Sequence, residues 1–304
     1  MSTRRYVTAD VFTRRPFGGN PLAVVLDAEG LTAPRMQSIA AEFNYAETTF
    51  VLPPRDPGHT AWVRIFTPRS EIPFAGHPNV GTAIVLAHEW QSAGRPLPHR
   101  FLFEEGAGLV PVAVRVERDQ IASAELTAPE ALSRRSTVTT RDVAACLSLE
   151  AADVRTDGHE PQVISVGLPF LVAELASRQA LARARPVLAE HERLLPPIGT
   201  DAIFAYVRAE APSQLHARMF SPIDGIVEDP ATGSAAAATI ALLATIDRAS
   251  GGLSHWRIEQ GVDMGRPSEL LGRTEKRDGT VVATYVAGAA TLMMRGVLQL
   301  PGGD

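Results

Sequence analysis

Cysteine is almost missing from this chain: 304 residues hold one, Cys146. An internal disulfide framework and a Cys-rich metal site are therefore excluded, and reducing cytosol is the expected compartment. Long apolar runs are missing too. The longest, 235–246, is interrupted by Thr239 and Thr245, and it falls well short of the roughly 20 residues a membrane-crossing helix needs. The first five residues are basic but no apolar stretch follows them, so no secretory leader is expected. The eight histidines show no metal-ligand spacing and no H-E-x-x-H. There is no Walker motif, and Gly106-Ala107-Gly108 lacks the third glycine of a dinucleotide loop. Positive charge is not in excess either: 29 Lys and Arg against 34 Asp and Glu leave −5. That balance argues against nucleic acid as a partner, because phosphate binding needs concentrated Lys and Arg. A site independent of metal and nucleotide is expected, with no membrane partner.

What is present is a globular composition, 45% apolar and 21% charged, long enough for about two domains. Strand patterns open the chain at 6–12 and 22–26, on either side of a Pro/Gly turn cluster. A helix is predicted over 32–43, with Pro34 in its first turn. Strands follow at 48–52 and 61–66, then at 110–116 and 121–126 around the polar turn 117–120. Asp278-Gly279 between polar and apolar runs signals a hairpin. Helical patterning marks 136–148, 177–194 and 234–248. Strand–helix alternation is irregular, so the class is α+β with antiparallel hairpins rather than a doubly wound sheet.

One short pattern occurs twice. Residues 78–83 and 230–235 both read P-x-x-G-[ST]-A, and both lead into apolar helical sequence. They lie 152 residues apart, half the chain. Glycine lets the backbone approach a ligand, the hydroxyl can cap a helix, and a helix N-terminus favours an anion. Two copies suggest two similar domains whose helix N-termini line one cleft. His77 precedes the first proline and Asp229 the second. Glu47 stands between a helix and an apolar strand, beside Ala46 and close to Phe50. Desolvation there raises a carboxyl toward useful acid–base values.

Together these residues resemble the PhzF-like phenazine-biosynthesis isomerase family. The resemblance runs through Asp10-Val11-Phe12-Thr13, Phe17-Gly18-Gly19-Asn20-Pro21, Glu47-Thr48-Thr49-Phe50, and Phe74-Ala75-Gly76-His77-Pro78. It continues through Glu228-Asp229-Pro230-Ala231-Thr232-Gly233-Ser234-Ala235 and on to Gln260-Gly261 with Met264-Gly265-Arg266-Pro267-Ser268. It implies a diaminopimelate-epimerase-like fold: two similar β-barrel-like domains, each wrapped around a central helix, with the site in the cleft between them. Residues 1–120 plus about 290–304 would form one domain and 121–289 the other. It implies cofactor-free, proton-shuttling isomerisation of a small cyclic or amino carboxylic acid, and a homodimer. Glu47 becomes the catalytic acid–base. By the same resemblance His77 and Asp229 would flank the substrate as polar or proton-handling groups, and Asn20, Gly76, Gly233 and Ser234 would bind it. The chain departs from the family at Tyr45-Ala46, where Leu-Ser is frequent, so a hydroxyl beside the acid is lost. A racemase or epimerase on the same fold would use two opposed thiols, but Ala75 and Ala231 stand in their place. A non-catalytic binding protein is the third reading, and retention of Glu47, His77 and Asp229 weighs against it.

Overall fold

The computed structural model describes residues 2–211 and 213–300. The chain divides into two compact units, Met1–Leu126 with Ala287–Asp304, and Thr127–Val286. The division therefore comes after Leu126. The turn at 117–120, expected as the boundary, is instead a hairpin inside unit 1, with Arg118 and Asp119 at φ 49° and 62°.

Unit 1 contains β1 (Ser2–Val11), β2 (Asn20–Val25), α1 (Ala33–Phe43), β3 (Glu47–Leu52), β4 (Ala61–Phe66) and β5 (Glu71–Ile72). Next come α2 (Gly76–Ser92), β6 (Arg100–Glu105), β7 (Gly108–Glu117) and β8 (Gln120–Thr127). A strand from the far end of the chain, Ala290–Leu300, pairs antiparallel with β1, Ser2 opposite Leu300. From there the steps are β1/β2 antiparallel, β2/β3 parallel, β3/β4 antiparallel, β4/β6 parallel and β6/β7 antiparallel, with β5 also on β4. Twelve consecutive residues of α2, Gly76 to Ala87, are buried, so this helix is enclosed on every face. α1 stops where Asn44 adopts φ 51° and returns its N–H to Ala40. Its apolar stripe, Met36, Ile39 and Ala40, packs on Val25, Phe50 and Phe66.

Unit 2 contains β9 (Ser133–Thr137), α3 (Thr140–Leu147), β10 (Gln162–Ser165), β11 (Pro169–Glu174), α4 (Arg178–Arg183) and α5 (Leu188–Leu194). β12 (Ile203–Arg208), β13 (Gln214–Ser221), β14 (Ile226–Asp229), α6 (Gly233–Ile246), β15 (Gly252–Gln260), β16 (Ser268–Arg277) and β17 (Thr280–Gly288) complete it. Its pairing repeats that of unit 1. β9/β10 and β10/β11 are antiparallel, β11/β12 parallel, β12/β13 antiparallel, β13/β15 parallel and β15/β16 antiparallel, with β14 also on β13. α6 occupies the place of α2 and is buried at Gly233 and from Ala235 to Ala244. The edge strand that begins each run comes from opposite directions in the chain. β9 precedes its partner, whereas in unit 1 the part is taken by the last strand, β18 (Ala290–Leu300).

The expected helix at 177–194 is two helices, α4 and α5, because Pro186 lies between them. The Asp278-Gly279 hairpin is present, with φ 48° and 78° at its two central residues. Among the described residues no helix is long and apolar enough to cross a membrane.

Lys276, the chain's single lysine, closes α6. Its buried ammonium donates to the carbonyls of Ala244 (2.9 Å) and Asp247 (2.8 Å). These are last-turn carbonyls with no partner inside the helix, at the negative end of its dipole. Lys276→Met keeps the stem and removes the charge. It is expected to cost about 2 kcal/mol of unfolding free energy, the usual worth of hydrogen bonds to a charged group, measured by denaturant titration.

Candidate functional site

In unit 1, three side chains expected at the site come together. Asn20 opens β2 opposite Val11, and Glu47 opens β3 opposite Leu22. His77 is the second residue of α2. Asn20 Nδ2 lies 3.3 Å from His77 Nδ1, and His77 Nε2 lies 3.3 Å from Glu47 Oε2. Burial pushes the imidazole down to about 3, so His77 is neutral at any working pH. An amide N–H facing Nδ1 makes that nitrogen the acceptor. The one ring proton is then on Nε2, the nitrogen 3.3 Å from Glu47 Oε2. The Glu47 side chain keeps 15% of its surface exposed against 6% for His77. Of the pair, Glu47 is the more open side chain.

Tyr45 and Ala46 precede this acid. The Tyr45 ring sits 6.1 Å from that of Phe43, itself edge-on to Tyr6 at 5.1 Å. The departure from Leu-Ser thus places an aromatic in the cluster over α1.

In unit 2, Asp229 ends β14 and is 6% exposed. Thr232 Oγ1 donates to Asp229 Oδ2 at 2.5 Å. Gln260 clamps the loop: its Oε1 accepts from Thr232 N (3.0 Å), and its Nε2 donates to Asp229 O (2.8 Å) and Thr232 Oγ1 (3.0 Å). Gly233 and Ser234 then begin α6. Neither α2 nor α6 receives a side-chain cap, their N-cap residues being Ala75 and Thr232.

The duplicated pattern needs correcting. Pro230 lies before α6, but Pro78 is already inside α2, so the P-x-x-G-[ST]-A copies are not equivalent positions. The equivalent starts are Gly76 and Gly233, 157 residues apart rather than 152. Gly81 and Thr82 have an internal task. A Cβ on Gly81 would sit 2.5 Å from Leu22 Cδ2 and 2.6 Å from Val11 Cγ2, so glycine lets α2 approach the sheet. The Thr82 hydroxyl meets that of Thr49 at 2.8 Å in the core.

Cys146 is buried among Val143, Leu147 and Leu171, and burial pushes its thiol up to about 12. It is inert as a base. Among the described residues no group of three or more His, Cys, Asp or Glu is placed to hold a metal. Sequence reasoning gave no role to Thr232 or Gln260, although both lie in quoted motifs. Their signal was only that the two motifs recur in order.

The sequence profile described as "Phenazine biosynthesis-like protein" matches residues 9–296. The chain belongs to the phenazine biosynthesis-like family. A relative in Mesorhizobium japonicum, named an uncharacterized isomerase, is 38% identical over 98% of this chain and 99% of its own. The trans-2,3-dihydro-3-hydroxyanthranilate isomerase of Pseudomonas chlororaphis is 36% identical over 97% of this chain and 99% of its own. A solved Bacillus anthracis phenazine biosynthesis protein of the PhzF family superposes with a TM-score of 0.87 over 99% of this chain and 100% of its own, at 24% identity. The fold is the α+β diaminopimelate-epimerase-like one, and the chain takes its place among the PhzF-like isomerases.

Within this family member the Asp229 loop rests on Gly261. At φ 73°, a Cβ there would meet Arg266 O at 2.3 Å and Pro230 O at 2.7 Å. Gly265, at φ 82°, has open space around it. Both alanine variants share the backbone penalty, but only Gly261→Ala displaces Pro230. Denaturant titration is expected to show Gly261→Ala about 1–3 kcal/mol less stable than Gly265→Ala, the usual cost of overpacking.

Proposed function

We propose that this chain is a cofactor-independent isomerase that moves a proton between carbons of a small cyclic or amino carboxylic acid, with Glu47 as the acid–base. The observation that carries this is the neutral His77 whose Nε2 faces the Glu47 carboxylate at 3.3 Å. A histidine whose pKa burial holds at about 3 cannot serve as an acid near neutrality. It can steady the carboxylate with its one N–H, while Asn20 fixes which nitrogen bears it. That leaves Glu47, of the pair, as the acid–base.

The step balances without a cofactor. Glu47 removes a proton from carbon, the electron pair shifts through the adjacent unsaturation, and Glu47, its proton exchanging with solvent, delivers a proton to a distal carbon. The uncapped start of α2 at Gly76 suits the substrate carboxylate. Asp229, with Gly233 and Ser234 at the start of α6, is assigned to substrate polar groups. The ring named in the P. chlororaphis relative, a dihydro-hydroxyanthranilate, fits this chemistry and is the first substrate to try. The homodimer implied by the family resemblance belongs to the same proposal and is read by sedimentation of the purified chain.

An epimerase on this fold is the weaker reading. Ala75 and Ala231 offer no thiols, and Cys146 lies in the core.

The test is proton NMR of trans-2,3-dihydro-3-hydroxyanthranilate and a panel of cyclic and amino carboxylic acids in deuterated buffer. Wild-type protein should isomerise one of them with solvent deuterium entering the product carbon. Glu47→Gln should slow this about 10²–10⁴-fold, the usual worth of acid–base catalysis, with ligand binding retained. A Glu47→Gln rate within about threefold of wild type moves the chemistry to another group. Label entering no member of the panel leaves the binding-protein reading.

A further inference from the structure

The side chains around Asp229 form a hydrogen-bond circuit with a fixed direction. The Thr232 backbone N–H can only donate, so the Gln260 side-chain atom 3.0 Å from it is the amide oxygen. The other end of that amide is then an NH2, which donates to Asp229 O at 2.8 Å and to Thr232 Oγ1 at 3.0 Å. Asp229 O is a carbonyl and can only accept, which fixes the same orientation a second time. Thr232 Oγ1 accepts from Gln260 and donates its single hydrogen to Asp229 Oδ2 at 2.5 Å. Gln260 is fully buried and Thr232 nearly so.

The circuit displaces a helix cap. Thr232 is the N-cap residue of α6, where a threonine hydroxyl ordinarily accepts from a first-turn N–H. Here that hydroxyl caps nothing and turns back three residues to Asp229. Local rules are broken in this way where a site needs the side chain. The chain before Asp229 is pinned separately. Glu228 accepts two hydrogen bonds from the buried Arg218, Nε to Oε1 at 2.8 Å and Nη2 to Oε2 at 2.7 Å. Arg218 Nη1 also donates to the carbonyls of Leu181 and Ala184 at the end of α4, each at 2.9 Å. Neighbouring residues of a strand face opposite ways, so the pinned Glu228 sets the direction in which the Asp229 side chain leaves β14, and Thr232 sets the rotation of its carboxylate.

We propose that Thr232 and Gln260 are positioning residues for the isomerisation. Gln260 turns the Thr232 hydroxyl toward Asp229, and Thr232 holds the Asp229 carboxylate in the pose that meets the substrate. This rests on the reading of Asp229 as a contact to a polar group of the substrate. Neither Thr232 nor Gln260 touches the substrate; each acts through the next. A carboxylate held in its binding pose before the ligand arrives loses no rotamer freedom on binding, which is the advantage of a preorganised site.

The test is the kcat/KM of the panel member that takes up deuterium, measured by proton NMR, with denaturant titration of each variant beside it. Thr232→Val keeps the shape and removes the hydroxyl; Thr232→Ser keeps the hydroxyl and removes a methyl. Thr232→Val is expected to lower kcat/KM about 10- to 100-fold, the usual worth of a hydrogen bond to a charged group. Thr232→Ser should stay within about threefold of wild type, although it loses buried packing. Gln260→Met removes the donor that orients the hydroxyl and should follow Thr232→Val; it carries the test if Thr232→Val fails to fold. In an Asp229→Asn background Thr232→Val should lower kcat/KM no further, because its effect passes through Asp229. Rates that rank with unfolding free energy rather than with the hydroxyl, Thr232→Ser as slow as Thr232→Val, make Thr232 a structural residue only and overturn the proposal. So does a Thr232→Val loss that adds in full to that of Asp229→Asn. Exchange slowed by Glu47→Gln but untouched by Asp229→Asn and Thr232→Val overturns this proposal alone. Label entering no member of the panel overturns the isomerase reading, and the positioning role falls with it.

Discussion

A helix enclosed on every face must be narrow where the sheet comes close, and its ends must find partners other than water. That constraint organises both units. In α2 it demands Gly81 under Leu22 and Val11, and it turns Thr82 inward to Thr49. In α6 it demands the alanine run 235–238 and brings the only lysine to the C-terminal carbonyls. The N-terminal ends are treated differently. Ala75 and Thr232 provide no side-chain cap, so the first-turn amides of both helices are left for other acceptors. In an enclosed helix such an end is a place for an anion.

On the proposed reading, the same enclosure decides which residue carries the proton. His77 starts the buried segment of α2, and burial removes its charge. Glu47 begins a strand and stays partly open. Asn20 contributes by selecting one tautomer of the ring between them. A histidine and a glutamate read from sequence look like rivals for one role; depth of burial separates them.

The two units show how far a repeat in sequence and a repeat in structure can differ. The pairing order is the same through six successive steps, yet the strongest repeated pattern in the sequence is out of register by five residues. Proline and glycine stand at the start of α6 because they suit a turn. They recur inside α2 because glycine suits close packing. Composition cannot tell these uses apart.

Much was fixed locally. Strand and helix periods, the Asp278-Gly279 and 117–120 turns, and the helix stop near Asn44 depend on neighbours in sequence and were legible there. The candidate site residues Glu47, His77 and Asp229 were read there too, from short ordered motifs whose sum marks the family. What depends on contacts distant in sequence was not legible. Gln260 holds the Asp229 loop from 31 residues away. A hydrogen bond between distant segments leaves no periodicity, and a desolvation penalty depends on how many atoms surround a group. Only the packed structure decides either one.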